Sequence, residues 1–328
     1  MKASVYRRYG SPHVLSIVQM PKPVPGNNEL LIRVRATTVS TADWRMRSLE
    51  VPRGFGVLTR LALGMFSPRK PILGCELSGE VAAVGSSVTS FKVGDHVVAY
   101  RGFDLGCHAQ YVCIRANGAV AIKPSHLSFE QASALCFGGA TMLDFYRRAA
   151  LKAGDRVLVI GASGTVGSAA VQLAKHTWAY VTATCSGENV ALVKSLGADQ
   201  VIDYTKTDFT KLGQLFDIIV DTVGNAPFER SKALLMKGGR LLMIVASLPA
   251  MLKAPWQSFF SGVKIVAAPA SERPEYVKQL CDLASAEKFI PLIDCCYPFE
   301  RIVDAHRHVN HGHKKGSVVI VIEDLTSV

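Results

Sequence analysis

The run Arg156-Val157-Leu158-Val159-Ile160 leads straight into Gly161-Ala162-Ser163-Gly164-Thr165-Val166-Gly167, and this junction constrains the fold more than any other stretch of the chain. A short apolar run, a glycine-rich turn and a helix-forming segment over 166–175 make a strand–turn–helix unit. Glycines there permit a tight turn and close approach of backbone to a pyrophosphate. The helix start behind them offers N–H groups and the positive end of a dipole. The stretch departs from strict G-x-G-x-x-G, with Ala162 where the first glycine of that pattern would stand. In isolation an ordinary strand-to-helix turn reads the same way, so the segments that follow decide.

They alternate. Residues 180–185, 200–203, 217–221, 239–245 and 263–268 read as strands, and 189–196 as a helix between the first two. Continuous apolar strands alternating with helices imply a parallel, doubly wound sheet over 123–270. Residues 1–122 follow another pattern: 30–36, 80–84, 96–100 and 110–114 read as short strands set off by Gly, Pro and Asn. In the tail, 271–328, segments 274–286 and 299–308 read as helices and 317–322 as a last strand. The expected fold class is α/β, a doubly wound Rossmann domain plus a β-rich domain.

A length of 328 residues suits two domains. With 49% hydrophobic and 19% charged residues the chain has apolar mass for two cores and no signature of disorder. The net charge is +11, yet the basic residues are scattered, densest at Arg7-Arg8, Arg147-Arg148 and Lys314-Lys315, with no run interleaved with aromatics. Nucleic acid is therefore the weaker reading, against a slightly basic surface or an anionic small molecule. The eight cysteines, Cys75, Cys107, Cys113, Cys136, Cys185, Cys281, Cys295 and Cys296, include no C-x-x-C pair, and we expect them reduced. No signal-peptide core opens the sequence and no apolar stretch reaches the about 18 residues that span a bilayer. The expectation is a soluble, cytoplasmic protein.

NAD sites usually place an acid about 20 residues beyond the glycines, to hold the ribose hydroxyls. Here that position falls in Thr184-Cys185-Ser186-Gly187. No acid stands in those four residues, and Glu188 comes only later, in the turn to the next helix; this favours NADP(H), with Ser186 and Asn189 able to donate to a 2′-phosphate. The turn holds no Arg or Lys. Tyr204 and Lys315 are candidates from elsewhere, each equally readable as a plain surface side chain.

Several ordered motifs carry a resemblance that covers essentially the whole chain. They are Gly74-Cys75-Glu76-Leu77-Ser78-Gly79-Glu80-Val81, Phe91-Lys92-Val93-Gly94-Asp95-His96-Val97, Phe137-Gly138-Gly139-Ala140-Thr141 and the glycine loop. Further on come Ser195-Leu196-Gly197-Ala198-Asp199-Gln200-Val201-Ile202-Asp203-Tyr204, Asp221-Thr222-Val223-Gly224 and Gly312-His313-Lys314-Lys315-Gly316. The chain resembles the medium-chain dehydrogenase/reductase superfamily, in its zinc-free, zeta-crystallin-like quinone oxidoreductase branch. The resemblance implies a GroES-like catalytic domain (1–122 and 271–328), an NADP(H)-binding Rossmann domain (123–270) and a cleft between them. It places Thr141, Val223 and Val245-Ala246-Ser247 around the nicotinamide, with 268–270 close by, and Tyr204 and Lys315 near the adenosine phosphate. Asn189 departs from the pattern, since relatives often carry Lys there. The resemblance also raises a homodimer, as many relatives pair through an edge of the nucleotide-binding sheet.

Zinc-dependent relatives need three protein ligands and an open position. The Cys expected near Thr38-Val39-Ser40-Thr41 is missing, and Cys75 stands where His is expected before Glu76. Cys136 lies near the third position. Cys75, Glu76 and Cys136 read as a partial site or, more simply, as buried small residues; we expect no metal. His306, His308, His311 and His313 read as a solvated basic patch rather than a designed metal site.

Without zinc, a conjugated acceptor suits the chemistry. Hydride delivered to an enone or quinone leaves an enolate or phenolate that hydrogen bonds can hold. Ser40 is a candidate hydroxyl donor near the nicotinamide. Asp43 and Arg47, at i and i+4, read as a structural ion pair. Phe55, Leu58, Leu61, Met65 and Phe66 read as an apolar pocket, a lid or core. The expected activity is zinc-independent, NADPH-dependent reduction of a quinone, enone or related carbonyl. Alternatives are a 2-enoyl thioester reductase, a non-catalytic NADP(H)-binding protein and a zinc alcohol dehydrogenase.

Overall fold

The structure is a computed structural model that describes residues 1–323; the last five, which the sequence reading assigns to the GroES-like domain, lie outside the described residues. Along the chain run β1 (Lys2–Tyr6), β2 (Leu15–Gln19), β3 (Glu29–Val39), α1 (Thr41–Ser48), α2 (Gly56–Leu63), β4 (Glu76–Val84), β5 (His96–Tyr100), β6 (Tyr111–Arg115), β7 (Val120–Ile122), α3 (Phe129–Ser133) and α4 (Cys136–Ala149). They continue with β8 (Arg156–Ile160), α5 (Thr165–His176), β9 (Tyr180–Cys185), α6 (Val190–Ser195), β10 (Gln200–Asp203), β11 (Phe216–Asp221), α7 (Phe228–Ser231), β12 (Leu235–Met243), α8 (Leu248–Ser261) and β13 (Lys264–Val266). The tail adds α9 (Pro274–Ser285), β14 (Ile293–Pro298), α10 (Ile302–His311) and β15 (Ser317–Val321). Two compact units result: one holds Met1–Val51, Gly56–Phe137 and the chain from Glu272 onward, the other Pro52–Phe55 and Gly138–Ser271.

The first unit is built on a seven-stranded sheet in the order β14-β15-β3-β4-β5-β7, with β6 also pairing β3. Strand β3 is its spine. Its first half pairs β6, its second half β15, and its other edge β4. Leu30, Ile32 and Val34 alternate inward and meet Leu77, Val97, Val318 and Ile320, and Ile302, Ala305 and Val309 of α10 close over them. Burying each such side chain contributes about 1.5–3 kcal/mol. Helix α1 starts in a capping box: Ser40 Oγ accepts from Asp43 N, and the Asp43 carboxylate accepts from Ser40 N.

That cap displaces the expected Asp43–Arg47 ion pair. Asp43 Oδ2 takes Ser40 N (2.8 Å) and Oγ (2.6 Å), and Oδ1 takes Gly74 N (2.7 Å). Arg47, with no exposed surface, donates instead to Gly10 O and to Asn310 Oδ1. The apolar residues around α2 are not core either. No residue of α2 is buried, and Phe66 is 92% exposed. The histidine-rich stretch splits rather than forming one solvated patch: His306 is buried, His308 part-buried, and His311 and His313 exposed.

The second unit is a six-stranded parallel sheet in the order β10-β9-β8-β11-β12-β13. Chain order reverses between β8 and β11, so the switch point lies beyond the carboxyl ends of those two strands. Val157, Leu158 and Val159 are fully buried, which is why β8 reads as a continuous apolar run. Leu158, Ile160, Phe216, Ile219 and Leu241 form its core. Strand β12 ends at Met243, two residues short of the expected strand end, and α8 follows where no helix is expected from the sequence. Among the described residues no helix is long and apolar enough to cross a membrane.

Candidate cofactor site

The carboxyl end of β8 is clamped by its neighbour. Thr222, just after β11, donates through Oγ1 to Ile160 O (2.7 Å) and through N to the same oxygen (3.2 Å). Gly161 turns the chain with φ +83°, and a Cβ there would stand 2.6 Å from Val223 Cγ1. A Cβ on Gly167 would stand 2.0 Å from Gly161 O, so helix α5 sits directly on the loop. Gly164 is different. A Cβ there meets only Gly161 O, at 3.7 Å, so its outer face is open. It is also the N-cap of α5 and lends no side chain to the helix start. Loop and helix thus pair an open concave face with first-turn amides that precede the first intrahelical bond, from Ser168 N to Gly164 O. An anionic phosphate group fits that cradle. Buried Ala162 donates to Thr184 O (3.0 Å) and ties the loop to β9.

A second turn follows β9. Asn189 donates through Nδ2 to Ser186 Oγ (2.8 Å), and its buried Oδ1 has no hydrogen-bond partner. The turn is not free of acids: exposed Glu188 lies in it between Ser186 and Asn189, and the next strand brings Asp203. A Cβ on Gly187 would stand 2.7 Å from Asp203 Oδ2. Hydrogen bonds from Thr205 Oγ1 (2.6 Å) and N (3.0 Å) hold this carboxyl below its usual range, and Lys206 Nζ lies 3.7 Å away. Tyr204 donates its N–H to Cys185 O (3.0 Å) and leaves its ring exposed.

The loop after β11 hangs on Asp221. This buried carboxylate accepts from four successive amides, Val223 N (3.1 Å), Gly224 N (2.8 Å), Asn225 N (3.2 Å) and Ala226 N (2.7 Å). The sequence marked Asp221 as part of a motif without revealing this role; an Asp followed by Gly three residues on is the only local signal. The arrangement presents Val223 half-exposed beside Gly161. A Cβ on Gly224 would stand 3.5 Å from Val245 Cγ1. Val245 and Ala246 lie in a bend after β12, and Ser247 caps α8, its Oγ accepting from Ala250 N (3.3 Å). Thr141 is buried one turn beyond Gly138 in α4, where a Cβ on Gly138 would stand 2.4 Å from Thr165 O. Pro269 O, next to Ala268 and Ala270, accepts from Arg148 Nη2 (3.0 Å). The second unit therefore brings together Gly161, Val223, Gly224 and Val245 at one place and Ser186, Asn189, Asp203 and Tyr204 at another. Ser40 and Lys315 belong to the first unit.

Comparison with known proteins agrees with this architecture. Residues 26–124 match the alcohol dehydrogenase GroES-like domain family, and residues 196–320 the zinc-binding dehydrogenase family. A chloroplastic quinone-oxidoreductase homolog of Spinacia oleracea is 31% identical over 335 residues, 98% of this chain and 98% of its own. The NADPH-dependent alkenal/one oxidoreductase, chloroplastic, of Arabidopsis thaliana is 30% identical over 336 residues, 98% of this chain and 79% of its own. The solved quinone oxidoreductase of Coxiella burnetii superimposes with a TM-score of 0.86 at 31% identity, over 98% of this chain and 99% of that one. The chain belongs to the medium-chain dehydrogenase/reductase superfamily, in its quinone oxidoreductase branch.

Whether this dehydrogenase/reductase can hold zinc at the family's catalytic position depends on its donors. Ser40 Oγ has its one proton on Asp43, and Cys75 Sγ donates to Ser40 Oγ across 3.7 Å. Burial pushes the Cys75 and Cys136 thiols well above their ordinary range, as suits small buried residues. Glu76 Oε2 is taken by Cys136 N (2.9 Å) and Phe137 N (2.7 Å), and Oε1 by Thr38 Oγ1 (2.6 Å). Burial raises its pKa to about 7, against the pull of those three donors. Among the described residues the one cluster of three metal-ligand types within mutual reach lies elsewhere. The residues at the catalytic zinc position do not fit the metal.

Proposed function

We propose that this chain is an NADP(H)-dependent oxidoreductase that reduces a quinone, enone or related conjugated carbonyl without a catalytic metal. The observation that carries the reading is the loop 161–167. Gly161 and Gly167 pack too tightly for any side chain, while Gly164 leaves an open face at a helix start. The names of the relatives, a quinone-oxidoreductase homolog and an alkenal/one oxidoreductase, support the substrate class.

When bound, the dinucleotide supplies a hydride. The loop 161–167 and the first turn of α5 would hold its pyrophosphate. Ser186 and Asn189 would take the 2′-phosphate, Ser186 through its hydroxyl proton and Asn189 through the second hydrogen of Nδ2. Val223, held up by the Asp221 cap, and Val245-Ala246-Ser247 would wall the nicotinamide, with Thr141 beside them. Within the second unit, Tyr204 would stand at the adenosine end. As seated, Ser40 donates to Asp43, so it has no proton to offer a substrate oxygen. Water therefore protonates the enolate or phenolate.

Following NADPH and NADH absorbance with a panel of quinones, enones and aldehydes tests the proposal. Consumption of NADPH by conjugated acceptors and not by saturated aldehydes is the expected outcome. Cofactor binding with no consumption by any acceptor rejects the reductase reading. We also propose a homodimer, supported by the open edge of the six-stranded sheet at β13, with light scattering as its check. A reducing, cytoplasmic setting is supported by the free cysteines, and imaging of a tagged full-length chain checks it.

A further inference from the structure

Strand β14 pairs with β15 with a slip in register. Ile293 faces Ser317 and Cys295 faces Val318, so Asp294 is an extra residue on the edge of the sheet. In a regular strand, residues 294 and 295 would point to opposite faces. A bulge re-aims one of them. Here both reach the same side chain, His308 on α10. Asp294 Oδ2 lies 3.1 Å from His308 Nε2, and Cys295 Sγ 3.3 Å from Nδ1. One ligand atom from each of the three residues lies within 4.8 Å of the other two, and all three are part-buried. The Tyr297 hydroxyl stands 3.2 Å from Nδ1 on the same side.

We propose that Asp294, Cys295 and His308 form a site for one zinc ion or a similarly thiophilic divalent transition metal. It shares no residue with the position at 40, 75, 76 and 136 where zinc does not fit. A sulfur, an imidazole nitrogen and a carboxylate oxygen are the donor types zinc selects, whereas magnesium and calcium take oxygen. Adjacent ligand atoms on a tetrahedral zinc stand about 3.5 Å apart, given bonds of about 2.0–2.3 Å. The Cys295–Nδ1 edge is already at that length, and Asp294 needs a side-chain rotation of about an ångström to join it. Three protein ligands leave a fourth position for water, and the Tyr297 hydroxyl, 3.2 Å from Nδ1, gives up that contact to the metal. Binding replaces the thiol proton of Cys295 with the metal and releases that proton to solvent. It also ties the edge strand β14 to α10, so the ion acts as a clip on the first unit.

Cobalt titration of the full-length chain, first stripped with a chelator, tests the site. One equivalent of cobalt should give a thiolate-to-cobalt charge-transfer band in the near ultraviolet, and zinc should bleach it. The band should vanish in Cys295→Ser, persist in Cys296→Ser and Cys113→Ser, and need at least tenfold more cobalt in His308→Gln and Asp294→Asn. Zinc should raise the unfolding temperature of the unsubstituted chain and leave that of His308→Gln unchanged. Circular dichroism identifies the variants that fold, and if Cys295→Ser does not, the other two ligand variants carry the test. No band at one equivalent, an undiminished band in Cys295→Ser, or its loss in Cys296→Ser, which would mean a site made by the two adjacent thiols, overturns the proposal.

Discussion

Thr38 donates through Oγ1 to Glu76 Oε1 at 2.6 Å inside the first unit, and neither residue has appreciable exposed surface. With two backbone amides on Oε2 the carboxyl is fully engaged, yet burial still lifts its pKa from 4.5 to about 7. The folded chain therefore binds the proton more tightly than the unfolded one between those pH values. Stability falls as pH rises from 4.5 to 7, by about 3 kcal/mol at most. Glu76→Gln fits the same contacts, with Oε1 accepting from the two amides and Nε2 donating to Thr38 Oγ1. Urea unfolding across that range should show stability rising more with pH, or falling less, in Glu76→Gln than in the parent. A variant that keeps the parent's pH dependence would place the titration elsewhere.

The glycine loop separates packing from binding. Gly167→Ala forces a Cβ to within 2.0 Å of Gly161 O and 2.7 Å of Ala162 Cα. It should destabilise the chain by about 1–3 kcal/mol and abolish dinucleotide binding. Gly164→Ala meets no protein atom closer than 3.7 Å. It should leave the melting temperature unchanged while weakening NADPH at least tenfold, about 1.4 kcal/mol. Fluorescence titration beside calorimetry reads both, and full affinity in a folded Gly164→Ala would mean that the phosphate binds elsewhere.

Most of the second unit was legible because its signals are local. A buried parallel strand must be apolar throughout, and β8, β9 and β11 are nearly so, while the edge strand β10 is half polar. Helix α8 was hidden by Pro249 and Pro255 and by Trp256, Phe259 and Phe260, which are exposed and give no core-facing stripe. Strand β14 was hidden by its bulge at Asp294, which breaks alternation. Partners distant in sequence were illegible. Nothing in Thr41-Ala42-Asp43-Trp44 says that Asp43 holds Gly74 N rather than Arg47, and nothing near Ser186 says that Asp203 will arrive from the next strand. The glycines of the cofactor loop were readable; the acid that tunes its far end was not.

Asp203 should set part of the cofactor preference. Its ionised carboxylate lies against Gly187 in the turn that Ser186 and Asn189 frame. A negative charge there disfavours a 2′-phosphate at contact range. Asp203→Asn keeps the acceptor for Thr205 and removes the charge. The ratio of kcat/KM for NADPH over NADH should rise about fivefold. Asn189→Lys should raise it further by adding the cation the turn lacks. A ratio that falls or stays level in both variants would move the phosphate away from this turn.

His306 governs the acid side. Burial, and then His108 and Arg47, hold its pKa well below 6.5, so it is neutral in the folded chain. Its ring stacks edge-on against His108 at 5.5 Å, and neither nitrogen has a hydrogen-bond partner. The unfolded chain takes up a proton below pH 6.5 that the folded chain refuses, so stability drops as pH falls through 6.5. This is opposite in sign to Glu76, and between pH 4.5 and 6.5 the two contributions largely cancel. His306→Leu removes the protonation and two orphaned polar atoms, each worth about 1–3 kcal/mol when left buried without a partner. Thermal melts should show the variant at least as stable as the parent at pH 7 and more stable at pH 5. Equal losses for both between pH 7 and pH 5 would assign the acid sensitivity to another group.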